Sequence, residues 1–121
     1  MARFRLSRPA QADLAHILAT SAERWGAEDR RRYAALLASA MRRAAADPNG
    51  ALTRDRPELL PGLRSLHIRH ARADAPRPRI GQPVHVLYYR LASPDLIEII
   101  RVSHQRMQPA RHLPSPSRDP G

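Results

Sequence analysis

Val84-His85-Val86-Leu87-Tyr88-Tyr89-Arg90-Leu91, then Ala92-Ser93-Pro94-Asp95, then Leu96-Ile97-Glu98-Ile99-Ile100-Arg101-Val102 is the stretch on which the fold turns. Two runs rich in β-branched and aromatic residues flank a Ser-Pro-Asp turn, which predicts an antiparallel pair of strands. Ile97, Ile99 and Ile100 place apolar side chains on both faces of the second strand, so it belongs in a central position covered from both sides. Leu63 to His70 also alternates and predicts a third strand. Between it and Val84, the stretch Ala71 to Pro83 holds three prolines, one glycine and three arginines. Such a segment cannot hold a ladder and reads as a long hairpin loop. Pro57, Pro61 and Gly62 make residues 51 to 62 a connecting loop.

Toward the N-terminus the period changes. Ala2-Arg3-Phe4-Arg5-Leu6 alternates strictly and predicts an edge strand. Ser7 followed by Pro9 then signals a helix start, because the hydroxyl can accept from free first-turn N–H groups and proline lacks one. Ala10, Leu14, Ile17, Ser21 or Ala22, and Trp25 recur at helical spacing, and Gly26 supplies a left-handed end. A second helix is predicted from about Ala27 to Ala46, with Tyr33, Leu36, Leu37, Ala40, Met41 and Ala44 as its apolar stripe. Asp47-Pro48-Asn49-Gly50 ends it. The two helices form an antiparallel hairpin that must bury its stripe on one sheet face. The expected architecture is an α+β two-layer domain: an N-terminal strand, then the helical hairpin, packed on a mainly antiparallel sheet completed by three C-terminal strands. Residues 1–113 are expected to form this domain, and 114–121 a disordered tail.

Composition narrows the chemistry. The chain has 121 residues, a formal net charge of +10 and a pI near 11.6, which favours a polyanion or an acidic protein as partner. All 21 basic residues are arginine. Lysine chemistry is therefore excluded, and the absence of cysteine excludes disulfides, thiolate zinc sites and cysteine nucleophiles. A genome biased toward G and C is an alternative source of the arginine excess. No run of apolar residues is long enough for a membrane span, no secretory pattern opens the chain, and a cytoplasmic location is the default. Aromatic residues are too few for a base-stacking platform.

No motif for a cofactor appears. His67 and His70 form an H-x-x-H pair, but on a strand they would point to opposite faces, so a metal site is not expected. The serines lack a nucleophile-elbow context, and Glu98 stands alone in its strand, where an exposed or Arg-paired role is expected. One enzyme class survives: metal-free RNA cleavage, in which arginines stabilise phosphorane charge and a His or Tyr moves the proton. Arg90, Arg101, His104 and Tyr89 are the candidates for it. Strand parity separates His85 from Arg90, and a basic sheet needs no reaction to explain its arginines. A binding reading predicts instead an apolar groove where hairpin and sheet fail to cover each other, filled by an acidic amphipathic segment. Tyr33, Leu37 and Met41 are candidates for that groove, with ordinary core packing as the other reading. Arg64, Arg69, Arg90 and Arg101 are candidates for its rim.

Ala12-Asp13-Leu14 through Ala22-Glu23-Arg24-Trp25-Gly26, Arg56-Pro57-Glu58-Leu59 with Pro61-Gly62-Leu63-Arg64, Tyr88-Tyr89-Arg90, Arg101-Val102-Ser103-His104-Gln105-Arg106-Met107 and Ala110-Arg111-His112-Leu113 follow one another in order. This series, across residues 3 to 113, resembles the ParE toxins of the RelE/ParE superfamily. The resemblance implies the toxin of a type II toxin–antitoxin system that acts on DNA gyrase, trapping it with DNA cleaved, and that a ParD-like antitoxin holds inactive. It adds Arg106 and Arg111 to the expected antitoxin- or target-binding residues. RelE-like relatives instead cut mRNA on the ribosome with basic residues that typically include lysines, which this chain lacks. Gln108 stands where many relatives carry an acidic residue before proline, which weakens the cap of a short C-terminal turn. The leading function is therefore a gyrase-directed toxin acting by contact, the alternative a ribosome-dependent endoribonuclease, and the third a free-standing nucleic-acid-binding domain, which the few aromatics and the lack of a recognition-helix pattern disfavour.

Overall fold

A computed structural model describes residues 2–75 and 80–113. Strands β4 (His85–Ser93) and β5 (Leu96–His104) form the antiparallel pair expected from their sequence, with His85 opposite His104 and Ser93 opposite Leu96. Strand β3 (Arg64–His67) adds to β4, and the two-residue β2 (Arg54–Asp55) adds to β3. On the other side β1 (Arg3–Leu6) lies parallel to β5, giving a five-stranded sheet in the order β1-β5-β4-β3-β2.

Helix α1 spans Arg8–Ala46 and is broken at Gly26, whose φ of 90° and ψ of 174° are not helical. Ser7 caps its start by accepting from the Ala10 N–H at 3.1 Å, and Asp47 ends it. A straight helix of 39 residues would run about 58 Å, whereas the nine residues of β5 reach about 30 Å. The break resolves the mismatch by folding the helix back. Ser7 hydrogen-bonds to the Ile100 carbonyl and Asp13 to the Val102 N–H, while Tyr33 reaches His85 and Ala46 lies near Leu96. The first arm therefore runs along β5, and the second returns antiparallel to it.

The main core lies between these arms and the sheet. Leu36, Leu37, Ala40, Met41 and Ala44 meet Leu66, Leu87, Tyr89, Ile97, Ile99 and Val102 there. A β-bulge at Ile100 interrupts alternation, because Tyr88 is opposite Arg101 while Tyr89 is opposite Ile99. Ile100 thereby joins Leu63, Tyr88 and Leu113 in a second cluster. Both faces of β5 are covered, as its isoleucines require. Leu113 follows the short helix α2 (Pro109–His112), whose N-cap Gln108 makes no side-chain capping bond.

Four expectations need correction. The third strand stops at His67, and Ile68–Asp74 forms a 3-10 helix where strand and loop were expected. Ile68 and Ala71 are both fully buried against the main core, so packing on α1 overrides the strand alternation. Residues 51 to 62 contain β2, too short to leave a periodic signal. Trp25, assigned to the apolar stripe of the first arm, is 62% exposed because it sits at the hairpin tip. The remainder of the predicted 71–83 loop and the 114–121 tail lie wholly or partly outside the described residues. Among the described residues, no helix is long and apolar enough to cross a membrane.

Candidate functional site

The hairpin tip stands off from the sheet and leaves an open cleft of about 640 Å³. Ile17, Trp25, Tyr33 and Val84 give it apolar walls, Arg24 and Arg32 sit among its lining, and His85 and His104 close its floor. Arg24 lies over the Trp25 ring, its guanidinium carbon 5.9 Å from the centroid, within cation–π range. Arg32 is held by Asp29 at 2.8 Å through Nη1, while its buried Nε has no hydrogen-bond partner.

The floor is a hydrogen-bonded aromatic set. Tyr33 Oη lies 2.6 Å from His85 Nδ1 and accepts the Val84 N–H at 3.2 Å. His85 meets the Tyr33 ring edge-on at 5.5 Å and the His104 ring edge-on at 5.7 Å. Burial, reinforced by the neighbouring His104, pushes the His85 imidazole down to about 4, so it is neutral at pH 7. The Tyr33 hydroxyl thus ties helix to strand, accepting from Val84 and sharing one hydrogen with His85 Nδ1. Burial also raises the Tyr33 phenol. Engaged with each other, the Tyr33 hydroxyl and the His85 imidazole carry no charge to a ligand.

The sequence-predicted residues do not assemble into one centre. Arg101 donates to Asp13 through Nε and Nη2, both at 2.8 Å, and the Val102 N–H donates to the same carboxylate at 2.9 Å. That guanidinium is a structural tie between β5 and the first arm, not an open rim. Arg90 pairs instead with Glu98 at 3.6 Å, and Arg5 reaches the same Glu98 at 3.4 Å. Glu98 thus has the Arg-paired role expected of it. Tyr89 is buried under the hairpin and donates to the Pro48 carbonyl at 2.6 Å. His104 is at the far end of β5, its Nδ1 accepting the Arg106 N–H at 3.0 Å. The four residues named for RNA cleavage thus occupy separate places.

The binding set is dispersed as well. Leu37 and Met41 are 1% and 6% exposed and belong to the core, which corrects their assignment to an open groove; Tyr33 alone of the three reaches the cleft. Arg64 is held by Thr53 at 2.7 Å with Asp55 nearby, Arg69 lies beside His70 and Arg72 in a shallow hollow at the His104 end, and Arg106 and Arg111 are exposed. His70 sits in the 3-10 helix, so the strand-parity argument that separated it from His67 does not apply. His67 instead bonds Gln105 at 2.8 Å. Sequence reasoning missed Asp13, Arg24, Trp25, Arg32 and His85 as the residues that matter at these places. For Arg24, Trp25 and Arg32 the one sequence signal is the clustering of charge and a bulky aromatic around Gly26; Asp13 and His85 take their partners from distant elements.

The family model for the ParE toxin of the type II toxin–antitoxin system parDE matches residues 4–109. The chain belongs to the ParE toxin family. Toxin ParE1 of Mycobacterium tuberculosis (strain H37Rv) is 34% identical over 111 residues, covering 92% of this chain and 97% of its own. Toxin ParE1 of Caulobacter vibrioides (strain CB 15) is 34% identical over 113 residues, covering 93% and 99%. The fold of this ParE-family chain is similar to a chain in the structure described as the chromosomal ParDE TA system from P. aeruginosa. That likeness has a TM-score of 0.59 at 21% identity, over 86% of this chain and 95% of the other. At that identity it speaks for the α+β fold.

Proposed function

We propose that this ParE-family toxin acts inside the cell by contact, binding DNA gyrase and holding it with DNA cleaved, and that a ParD-like antitoxin neutralises it. The family match over residues 4–109 carries the toxin–antitoxin assignment. Support for action by contact comes from the commitments of the catalytic candidates. Arg101 is neutralised by Asp13, and the Tyr89 hydroxyl is spent on a backbone carbonyl. Stabilising a phosphorane needs donors aimed together at one point. Here the candidate groups lie on different faces and at different ends of the sheet.

An excess of arginine suits an acidic partner, since complementary charge speeds encounter and excludes wrong partners. The antitoxin expected is therefore a small acidic protein, sought in the reading frame beside the toxin. Two assays test this reading. Purified toxin added to gyrase should inhibit supercoiling and accumulate cleaved DNA, and the same protein in a translation extract should leave mRNA intact. Cleaved mRNA with supercoiling untouched would assign the chain to the endoribonuclease side of the superfamily. Co-expression with the adjacent acidic protein should restore growth.

A further inference from the structure

We propose that the cleft at the hairpin tip is the docking point for one bulky apolar side chain of an acidic partner segment, gripped between Trp25 and Tyr33 with its flanking carboxylates on Arg24 and Arg32. The inference rests on the antitoxin reading for the identity of the partner, and on the cleft alone for its chemistry.

Three observations lead to this occupant. Among the described residues Trp25 is the most exposed large apolar side chain, at 62%, and exposing an indole costs burial that a partner restores. The cleft below it, at about 640 Å³, is large enough for several side chains. The Arg24 guanidinium stands over the indole, and the Arg32 side chain, also in the lining of the cleft, is 33% exposed, so carboxylates have two cations to meet at the mouth. Asp29 neutralises only part of this charge, through Arg32 Nη1. A second copy of the chain fits poorly, because each copy carries +10 and would bring like charge to like. Nucleic acid also fits poorly, because the apolar wall of Ile17, Trp25, Tyr33 and Val84 and the His85 imidazole bonded to Tyr33 offer phosphates no cation there.

Trp25 is the chain's one tryptophan, so its emission reports on this cleft and nowhere else. The probes are a tryptophan-free synthetic peptide of alternating Leu and Glu pairs, a Ser–Glu peptide of equal charge and length, and a short DNA duplex. The Leu–Glu peptide should shift the emission to the blue and bind roughly tenfold or more tighter than the Ser–Glu peptide, as burial of one leucine requires. By anisotropy of labelled Leu–Glu peptide, Trp25→Ala and Arg24→Glu should each weaken binding about tenfold; both residues are exposed, so the fold survives. Equal affinity for the two peptides would overturn the proposal. So would the same shift on adding duplex DNA, or on raising the protein concentration alone.

The acidic protein encoded beside the toxin separates this inference from the antitoxin reading. If it neutralises the toxin while leaving Trp25 emission and Trp25→Ala affinity unchanged, the antitoxin reading stands and the docking point is wrong. If the cleft binds the Leu–Glu peptide as described but that protein does not bind, the docking chemistry stands and its proposed partner is wrong.

Discussion

At the scale of single residues, Asp13 fixes the first helical arm to the sheet. β1 ends at Leu6, opposite Ile99, so the edge of β5 beyond that point has no strand to receive its N–H groups. Asp13 takes over there, accepting from the Val102 N–H and from both donors of Arg101. A bidentate guanidinium–carboxylate pair that is mostly shielded from water loses far more when one partner is removed than an exposed pair does. Asp13→Ala should therefore destabilise the fold by about 3 kcal/mol in urea unfolding. Glu98→Ala, which breaks two longer and more solvated ion pairs, should cost less than about 1 kcal/mol. Similar losses for the two variants would remove Asp13 from its central place.

His85 makes a second prediction at this scale. Its imidazole titrates near 4 in the folded chain against 6.5 when free. Above pH 6.5 both states are neutral and the residue has no pH effect. As pH falls from 6.5 toward 4 the unfolded chain takes up a proton that the folded one refuses, so stability drops. Allowing for partial solvent screening, the loss is about 2 kcal/mol by pH 4. Burial lowers His67 and His70 as well, in the same direction, so the loss measured in His85→Gln should shrink and not vanish. An unchanged pH profile in that variant would show that His85 is solvated.

Among the elements, the break at Gly26 decides whether the helices form a hairpin. Its φ of 90° with ψ of 174° lies in a region that side chains with a Cβ avoid, although a Cβ there would meet nothing within 4 Å. The cost of substitution is thus conformational and not steric. Gly26→Ala should lower stability by about 1–3 kcal/mol in thermal or urea melts, with helical content by circular dichroism preserved. A neutral result would mean that the chain turns elsewhere. This element was legible in the sequence: a cap at Ser7, two stripes at helical spacing and a glycine between them leave one arrangement. The β4–β5 pair was legible for similar reasons. The segment after His67 was not, because Leu66, Ile68 and Ala71 fit a strand pattern and a tight helix equally well over so short a span. Contact with α1 chose the helix. The bulge at Ile100 was likewise silent, since it changes pairing without changing composition.

For the whole molecule, charge was readable and its distribution was not. The excess of 21 basic over 11 acidic residues pointed correctly to a basic chain, yet it could not say which arginines are engaged inside the protein. Arg101 meets Asp13 from 88 positions away, and Arg90 meets Glu98 only because the β4–β5 register brings them opposite. Such partners are fixed by topology, so rim residues chosen from strand position alone mix engaged with free guanidiniums. A groove between hairpin and sheet was expected, with Tyr33 in it, but its position at the hairpin tip and its rim of Arg24 and Arg32 were not, because no local spacing encodes where a hairpin overhangs a sheet. At this scale the folded chain should bind duplex DNA only weakly, with gel shifts that vanish near physiological salt. Retention at raised salt would require a direct nucleic-acid function.

Action by contact is separated from action by reaction when purified toxin meets gyrase with supercoiled plasmid and, in parallel, a translation extract. A toxin that works by contact abolishes supercoiling, accumulates cleaved plasmid and leaves mRNA intact; unaffected supercoiling beside mRNA cut in the ribosome would make it a nuclease.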